Sequence, residues 1–189
     1  MLELACERAE MDEEALRAEL EKHHREGYVW ALNCCSQNPV VAEDVLQRVY
    51  LKILDGAARF RPEASFKTWF FTLIRNTAAD HWRQESRHEA GLIEYEQSAE
   101  ALSEIAQPDE LLDRNHIHAV LALALSSLPA RQEETMRLVF YHDLTLSEAA
   151  AVMGVSIGTA RTHYERGKGQ LRGFLAAAKV MDESKLGRK

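Results

Sequence analysis

The spacing of hydrophobic residues along the chain predicts helices throughout and almost no strands. Apolar positions recur three and four residues apart, which is the period of one face of an α-helix, and strict apolar–polar alternation is nearly absent. In the first half this spacing predicts helices over residues 12–30, over 38 to about 56, and over 66 to about 84. The pattern therefore indicates an all-α fold.

These first-half helices carry apolar stripes that we expect to form the core of a first domain. On the first helix the stripe consists of Leu16, Leu20 and His24, with Tyr28 one turn further. On the second helix it consists of Val45, Leu46, Val49, Tyr50, Ile53 and Leu54. On the third it consists of Phe66, Phe70, Leu73, Ile74 and Thr77, and Trp82 is expected to be buried with Phe66 and Phe70.

An acidic segment separates these helices from those of the second half. Residues 85–113 contain nine Asp or Glu and one Arg, whereas residues 59–87 hold six basic and three acidic groups. The segment is polar and weakly periodic, so we expect two small helical domains joined by a flexible linker. The expected bounds are 1–87 for the first domain, 88–112 for the acidic linker, 113–178 for the second domain and 179–189 for a tail.

The second half contains the features of a helix-turn-helix. A helical stretch resumes near Asp109, and Pro129 opens the next helix. Thr145 and Glu148 then form a capping box for a short helix that ends at Gly154, a residue tolerant of positive φ. Two further residues, Ala150 and Val155, supply the small contact and the apolar plug that two crossing helices need.

Ser156 is placed to cap a last long helix that runs to about Ala178, with Ala160, Tyr164 and Leu171 turned inward. Arg can donate two hydrogen bonds to guanine, Glu can accept one from cytosine, and Thr can bond to either. The outward residues of this helix therefore suit a DNA recognition helix. The alternative is an ordinary helical hairpin with a solvated charged face. The candidate DNA-contacting residues of this recognition helix are Ile157, Thr159, Arg161, Thr162, Glu165, Arg166 and Lys168.

Aromatic and basic residues occur together around the third helix. Stacking on aromatic rings contributes about 1–3 kcal/mol per unpaired base, and Arg or Lys holds the backbone. The rings are Phe60, Phe66, Trp69, Phe70, Phe71 and Trp82, most of which we expect in the core. The candidate nucleic-acid contacts are Arg61, Lys67, Arg75, Asn76 and Arg83, whereas Asp80 is expected to pair with Arg83 or another basic group.

In this order and at this separation, residues 44–83 and 128–162 resemble regions 2 and 4 of a bacterial sigma factor of the extracytoplasmic-function group. The resemblance implies a subunit that binds core RNA polymerase, opens the −10 promoter element with its first domain and reads the −35 element with its second. The implied partners are the clamp helices of the largest subunit, the flap, promoter DNA and an anti-sigma factor. The implied location is the cytoplasm, or the inner membrane face if the anti-sigma factor holds the chain there.

The resemblance also assigns residues of the first domain. Asp44, Gln47, Arg48 and Leu51 correspond to the part of region 2 that docks on the clamp helices, although spacing alone fits a solvated face equally well. The family usually carries an acidic residue at the position of Arg48. The loop 59–65 and the helix face with Asn76 correspond to the part that holds a flipped base of the −10 element.

Other chemistry finds little support in the sequence. The cysteines Cys6, Cys34 and Cys35 are odd in number and two are adjacent, so a disulfide framework is not expected. The spacing of zinc ligands and the motifs of catalytic sites are missing, which predicts no metal, no cofactor and no enzymatic activity. We also expect no signal peptide and no membrane insertion.

A second interpretation remains open from the sequence. A stand-alone helix-turn-helix regulator that never joins polymerase would also carry the recognition helix, and its first domain would then sense a ligand or dimerise. The two readings differ over residues 44–83, because a simple regulator has no reason to possess them.

Overall fold

The computed structural model describes residues 11–92 and 121–186, and within these ranges every regular element is a helix. The chain divides into two units, Met1–Ser103 and Glu104–Lys189. The first unit contains α1 (Glu13–Cys34), α2 (Pro39–Leu54) and α3 (Phe66–Leu92). The second contains α4 (residues 121–126), α5 (Ala130–Phe140), α6 (Leu146–Met153) and α7 (Ile157–Leu186). The predicted all-α fold is confirmed for the described residues.

The helices of the first unit start where short polar side chains can cap them. Asp12 Oδ1 accepts a hydrogen bond from the N–H of Ala15 at 2.7 Å, and Asn38 Oδ1 accepts one from Val40 at 3.1 Å. Ser65 Oγ accepts from the N–H of Thr68 at 3.2 Å. Each cap satisfies a backbone donor that has no partner inside the helix.

The core of the first unit lies where all three of its helices meet. Its fully buried side chains include Trp30, Val45, Val49, Phe70, Phe71 and Ile74. The Trp30 ring stacks on Phe71 with centroids 5.8 Å apart, and its indole N–H donates to the Phe71 carbonyl at 3.1 Å. At Gly27 a Cβ atom would lie 2.5 Å from Cε1 of Phe70, so glycine is what allows α1 and α3 to approach.

Three residues predicted to lie in the core are exposed: His24, Leu54 and Trp82. His24 Nδ1 lies 2.7 Å from the Tyr50 hydroxyl, a polar contact at the surface of the first unit. Leu54 is 59% exposed because residues next to each other on a helix point about 100° apart, and Ile53 takes the core position. Trp82 is 37% exposed, since its indole N–H donates at 3.1 Å to the Cys34 carbonyl, one of the acceptors left over at the end of α1.

Two helices also continue further than the sequence predicts. The helix α3 ends at Leu92 rather than near Gln84, so the first residues of the predicted linker are helical. Four of the residues at 84–89 are Gln, Glu or Arg, whose straight side chains favour a helix even without an apolar face. The helix α7 reaches Leu186 rather than Ala178, and the alanines at 176–178 support its continuation. The rest of the linker and the helix near Asp109 lie outside the described residues.

The second unit has a small core of its own. The buried residues Ala124, Leu125, Leu128, Met136 and Leu171 form it, with Leu121 and Tyr164 packed against them. Gly167 of α7 faces α5 so closely that a Cβ atom there would lie 3.0 Å from Met136 Cγ. This core holds α7 by its inward face and leaves the outward face of its first turns exposed.

Candidate functional site

The turn between α6 and α7 has the geometry that the sequence predicts. The Glu148 N–H donates to Thr145 Oγ1 at 3.2 Å, and Glu148 Oε2 accepts from the Thr145 N–H at 2.9 Å, which completes the capping box. Gly154 adopts φ 66° and ψ 36°, a left-handed conformation that costs glycine little. The Val155 N–H donates to the Ala150 carbonyl at 3.0 Å, so α6 ends in a closed turn before α7 begins.

The first turns of α7 present the predicted recognition residues to solvent. Ser156 Oγ accepts from the Thr159 N–H at 3.1 Å, and Ala160 is fully buried, which fixes the rotation of the helix. The exposed residues are Ile157, Thr159, Arg161, Thr162, Glu165 and Arg166. Lys168 is half-buried, with its ammonium 5.4 Å from the Tyr164 ring centroid and 3.5 Å from Glu165.

The nucleic-acid candidates of the first unit fall into two groups. Arg61, Asn76 and Arg83 are exposed, and Arg83 Nη2 pairs with Asp80 Oδ1 at 2.8 Å, which confirms the predicted partner of Asp80. Arg75 is half-buried. Lys67 is held by contacts within the first unit, because its ammonium lies 2.8 Å from Glu26 Oε2 and 5.7 Å from the Phe71 ring centroid.

The pairing of Lys67 also changes the acidity of its partner. Partial burial by itself would raise the pKa of Glu26, but the hydrogen bond and positive charge of Lys67, with smaller contributions from His23, outweigh it and hold that pKa below its usual value. Glu26 therefore stays ionised at neutral pH. A contact between Lys67 and DNA would first have to open this pair.

An aromatic cavity lies where the loop before α3 meets α1 and α2. It has a volume of about 190 Å³, and its walls include Leu16, Ile53, Arg59, Phe60 and Trp69. The Phe60 and Trp69 rings meet edge to face with centroids 5.5 Å apart. The sequence places both rings in the aromatic cluster but does not predict that they line an open cavity, because that depends on how the loop returns to α3.

The exposed face of α2 carries an unusual amount of apolar surface. Leu51 is 58% exposed, Val40, which the sequence analysis does not single out, is 74% exposed, and Leu54, which it wrongly places in the core, is 59% exposed. They lie at helical spacing with the predicted docking residues Asp44 and Gln47. We call Val40, Asp44, Gln47, Leu51 and Leu54 the α2 stripe. Clustered exposed hydrophobic residues of this kind mark surfaces that another protein covers.

The cysteines and helices show no feature that suggests other chemistry in the described part. Burial, helped by the Asp44 carboxylate, raises the pKa of the Cys35 thiol to about 11, so this thiol is not an activated nucleophile at neutral pH. Among the described residues no cluster of three or more His, Cys, Asp or Glu could hold a metal ion. None of the described helices is long and apolar enough to span a bilayer.

Two regions of the chain match models of known protein families. Residues 20–88 match the model described as Sigma-70 region 2, and residues 124–173 match the model described as Sigma-70, region 4. Together these matches cover more than half of the chain. The chain belongs to the sigma-70 family. The two matches coincide with the two units and include the α2 stripe, α3 and the helix-turn-helix.

Relatives of this sigma-70 family member carry related names. The ECF RNA polymerase sigma factor SigE of Mycolicibacterium smegmatis is 29% identical over 143 residues, which are 75% of this chain and 54% of that protein. The ECF RNA polymerase sigma-E factor of Escherichia coli K12 is 28% identical over 131 residues, 66% of this chain and 69% of that one. The chain thus spans about half the length of the first relative.

A solved structure supports the fold. The sigma factor RpoE from Bartonella quintana, crystallised with the anti-sigma factor NepR, superposes with a TM-score of 0.65 at 24% identity. The match covers 85% of this chain and 96% of that one. At this identity the likeness shows that the two chains share a fold.

Proposed function

We propose that the chain is a promoter-specificity subunit of bacterial RNA polymerase, a sigma factor of the extracytoplasmic-function group. The α2 stripe is the observation that carries this proposal. A helix-turn-helix suits any DNA-binding regulator, but three exposed hydrophobic side chains in line with Asp44 and Gln47 are typical of a surface that binds another protein. The clamp helices of core polymerase are the partner that the family suggests. RNA synthesis itself then belongs to the polymerase.

The two units would divide promoter recognition between them. The exposed face of α7 would enter the major groove of the −35 element, where Arg161 and Arg166 can reach base edges. The loop 59–65 and the face of α3 with Asn76 would hold the melted −10 strand. We propose domain bounds of 1–87 and 113–178 for these roles, with the acidic residues 88–112 as the linker.

We further propose regulation by an anti-sigma factor. The support is the fold shared with Bartonella RpoE, whose structure contains the anti-sigma factor NepR. Such an inhibitor would hold the chain away from core polymerase, in the cytoplasm or at the inner membrane face.

The decisive test is assembly with core polymerase. The double variant Gln47→Ala, Leu51→Ala should bind core about tenfold or more weakly, because the few central residues that dominate an interface cost about 2 kcal/mol or more when truncated. The matched control is Glu14→Ala, Glu21→Ala, which changes two exposed residues of α1 away from the stripe. Gel shift of the holoenzyme measures both. Wild-type affinity in the Gln47, Leu51 variant would favour the stand-alone regulator instead.

A further inference from the structure

A basic cleft lies between α2 and α3, outside the α2 stripe. It has a volume of about 240 Å³ and four basic residues in its walls, Arg48, Lys52, Arg83 and Arg87. Thr77, Gln84 and one acidic residue, Asp80, complete the lining. We call this the α2–α3 cleft.

We propose that the α2–α3 cleft binds a phosphodiester group of promoter DNA, and that Arg48 serves DNA rather than polymerase. The proposal rests on the proposed function, since it concerns the DNA of an initiation complex. It changes the expected role of Arg48, which the family resemblance groups with Asp44, Gln47 and Leu51.

The position of Arg48 on α2 supports this change of role. The α2 stripe occupies one face of the helix, whereas Arg48 lies to one side of it and one turn from Lys52. Lys52 Nζ donates to Thr77 Oγ1 on α3 at 3.0 Å, which places its ammonium in the cleft and leaves two of its N–H groups for a ligand. Arg48 and Lys52 therefore line the same cleft.

The charges of the cleft favour an anion. Asp44 Oδ2 pairs with Arg48 and Asp80 Oδ1 with Arg83, each at 2.8 Å. In both pairs the side chains are 44% or more exposed, so rearranging them costs little. Lys52 adds positive charge beyond these pairs, and so does Arg87. An acidic residue at position 48 would place a carboxylate in this cleft instead.

The neighbourhood of the cleft favours DNA over an acidic protein. Asn76, Asp80 and Arg83 follow one another at single-turn spacing on α3, so the cleft continues the helix face proposed to hold the −10 strand. A strand that leaves Asn76 along α3 would bring its backbone to Arg83 and Arg87. Guanidinium groups bind phosphate oxygens in pairs of hydrogen bonds, which suits this arrangement.

The experiment separates polymerase assembly from promoter binding. Arg48→Gln and Arg87→Gln are compared with Arg17→Gln, which removes an exposed i, i+4 pair with Glu13 much like that of Arg48 with Asp44. Core affinity is measured by gel shift, and promoter affinity of the assembled holoenzyme is measured over a range of salt. Circular dichroism verifies that each variant keeps its fold.

We expect Arg48→Gln and Arg87→Gln to assemble with wild-type affinity. Each should bind promoter DNA several-fold more weakly and lower the slope of log affinity against log salt by about 1, the contribution of one lost phosphate contact. Arg17→Gln should change neither quantity.

Three results would overturn the proposal. Weaker core assembly in Arg48→Gln would place this residue against a protein surface. Unchanged promoter affinity and salt slope in both variants would show that the cleft holds no phosphate. If the wild-type chain itself failed to assemble with core polymerase, the proposed function would fall and this inference with it.

Discussion

Asn76 and Lys67, two polar residues of α3, differ in whether their side chains are open to a ligand or already bound by a neighbour. Asn76 is exposed on the face that carries Asp80 and Arg83. Lys67 lies in the first turn of the same helix, but its ammonium is held by Glu26 of α1. If this face holds the −10 strand as proposed, a melted base would reach Asn76 without breaking an ion pair, whereas Lys67 would first have to leave Glu26.

Asn76→Ala should slow open-complex formation while core binding and closed-complex formation stay near wild type. Flipping a base costs a few kcal/mol, and hydrogen bonds from a side chain such as Asn76 offset part of that cost. A promoter already melted around its −10 element should partly rescue the variant. Permanganate footprinting on duplex and pre-melted templates measures the effect, with exposed Ser86→Ala as the control. An equal loss on both templates would remove Asn76 from base capture.

At the scale of helices, α7 would combine DNA recognition with packing. Its first turns carry the exposed residues proposed for recognition, and its later turns pack through Leu171 into the core of the second unit. Gly167 lies between these parts and allows the close approach to Met136. The core of the second unit thus fixes the direction in which Arg161 and Arg166 point.

Arg161→Ala and Arg166→Ala should each weaken binding to promoters that depend on the −35 element. An Arg that donates two hydrogen bonds to guanine contributes about 1–3 kcal/mol, and its loss relaxes selection at one base pair. An Arg that contacts phosphate would instead weaken all sequences alike. The control is Arg172→Ala, which removes the same charge from a later turn of α7. Unchanged promoter binding in both variants would contradict the assignment of the recognition helix.

Alanine substitutions at two glycines should change the free energy of unfolding in opposite directions. Gly27 lies where α1 meets α3, and Gly169 lies on α7. Gly27→Ala should destabilise the first unit, because overpacking against the buried Phe70 ring costs about 1–3 kcal/mol and exceeds the roughly 1 kcal/mol gain in helix propensity. Gly169→Ala, whose new Cβ would meet no atom within 4 Å beyond its own stretch of helix, should stabilise α7. Urea unfolding followed by circular dichroism compares them. A Gly27→Ala variant as stable as wild type would mean that the helices can shift apart.

The elements that sequence predicts well are those defined by local interactions. The capping box at Thr145, the left-handed Gly154 and the cap at Ser156 each depend on residues within four positions of one another. The position of Trp82 depends instead on the end of α1, whose Cys34 carbonyl accepts the indole N–H. Hydrophobic periodicity does not contain that information.

At the scale of the whole molecule, the two units each have a core, and the sequence predicts the division because an acidic stretch interrupts the apolar pattern. The sequence predicts the binding surfaces less well than it predicts this division. The pairs Lys67–Glu26 and Lys52–Thr77 join residues 41 and 25 positions apart, on different helices. These two pairs determine where the ammonium groups of Lys67 and Lys52 lie, and the second pair helps to form the α2–α3 cleft.

Trp69, in the wall of the aromatic cavity before α3, is an intrinsic fluorescent probe of that cavity. All three tryptophans, Trp30, Trp69 and Trp82, belong to the first unit, so selectively excited tryptophan fluorescence reports on that unit alone. Replacing Trp30 and Trp82 by Phe would leave Trp69 as the sole emitter, at the wall of the cavity beside Phe60. A base that stacks there would quench its emission, and stopped-flow mixing could then follow the arrival of the melted strand without any attached dye.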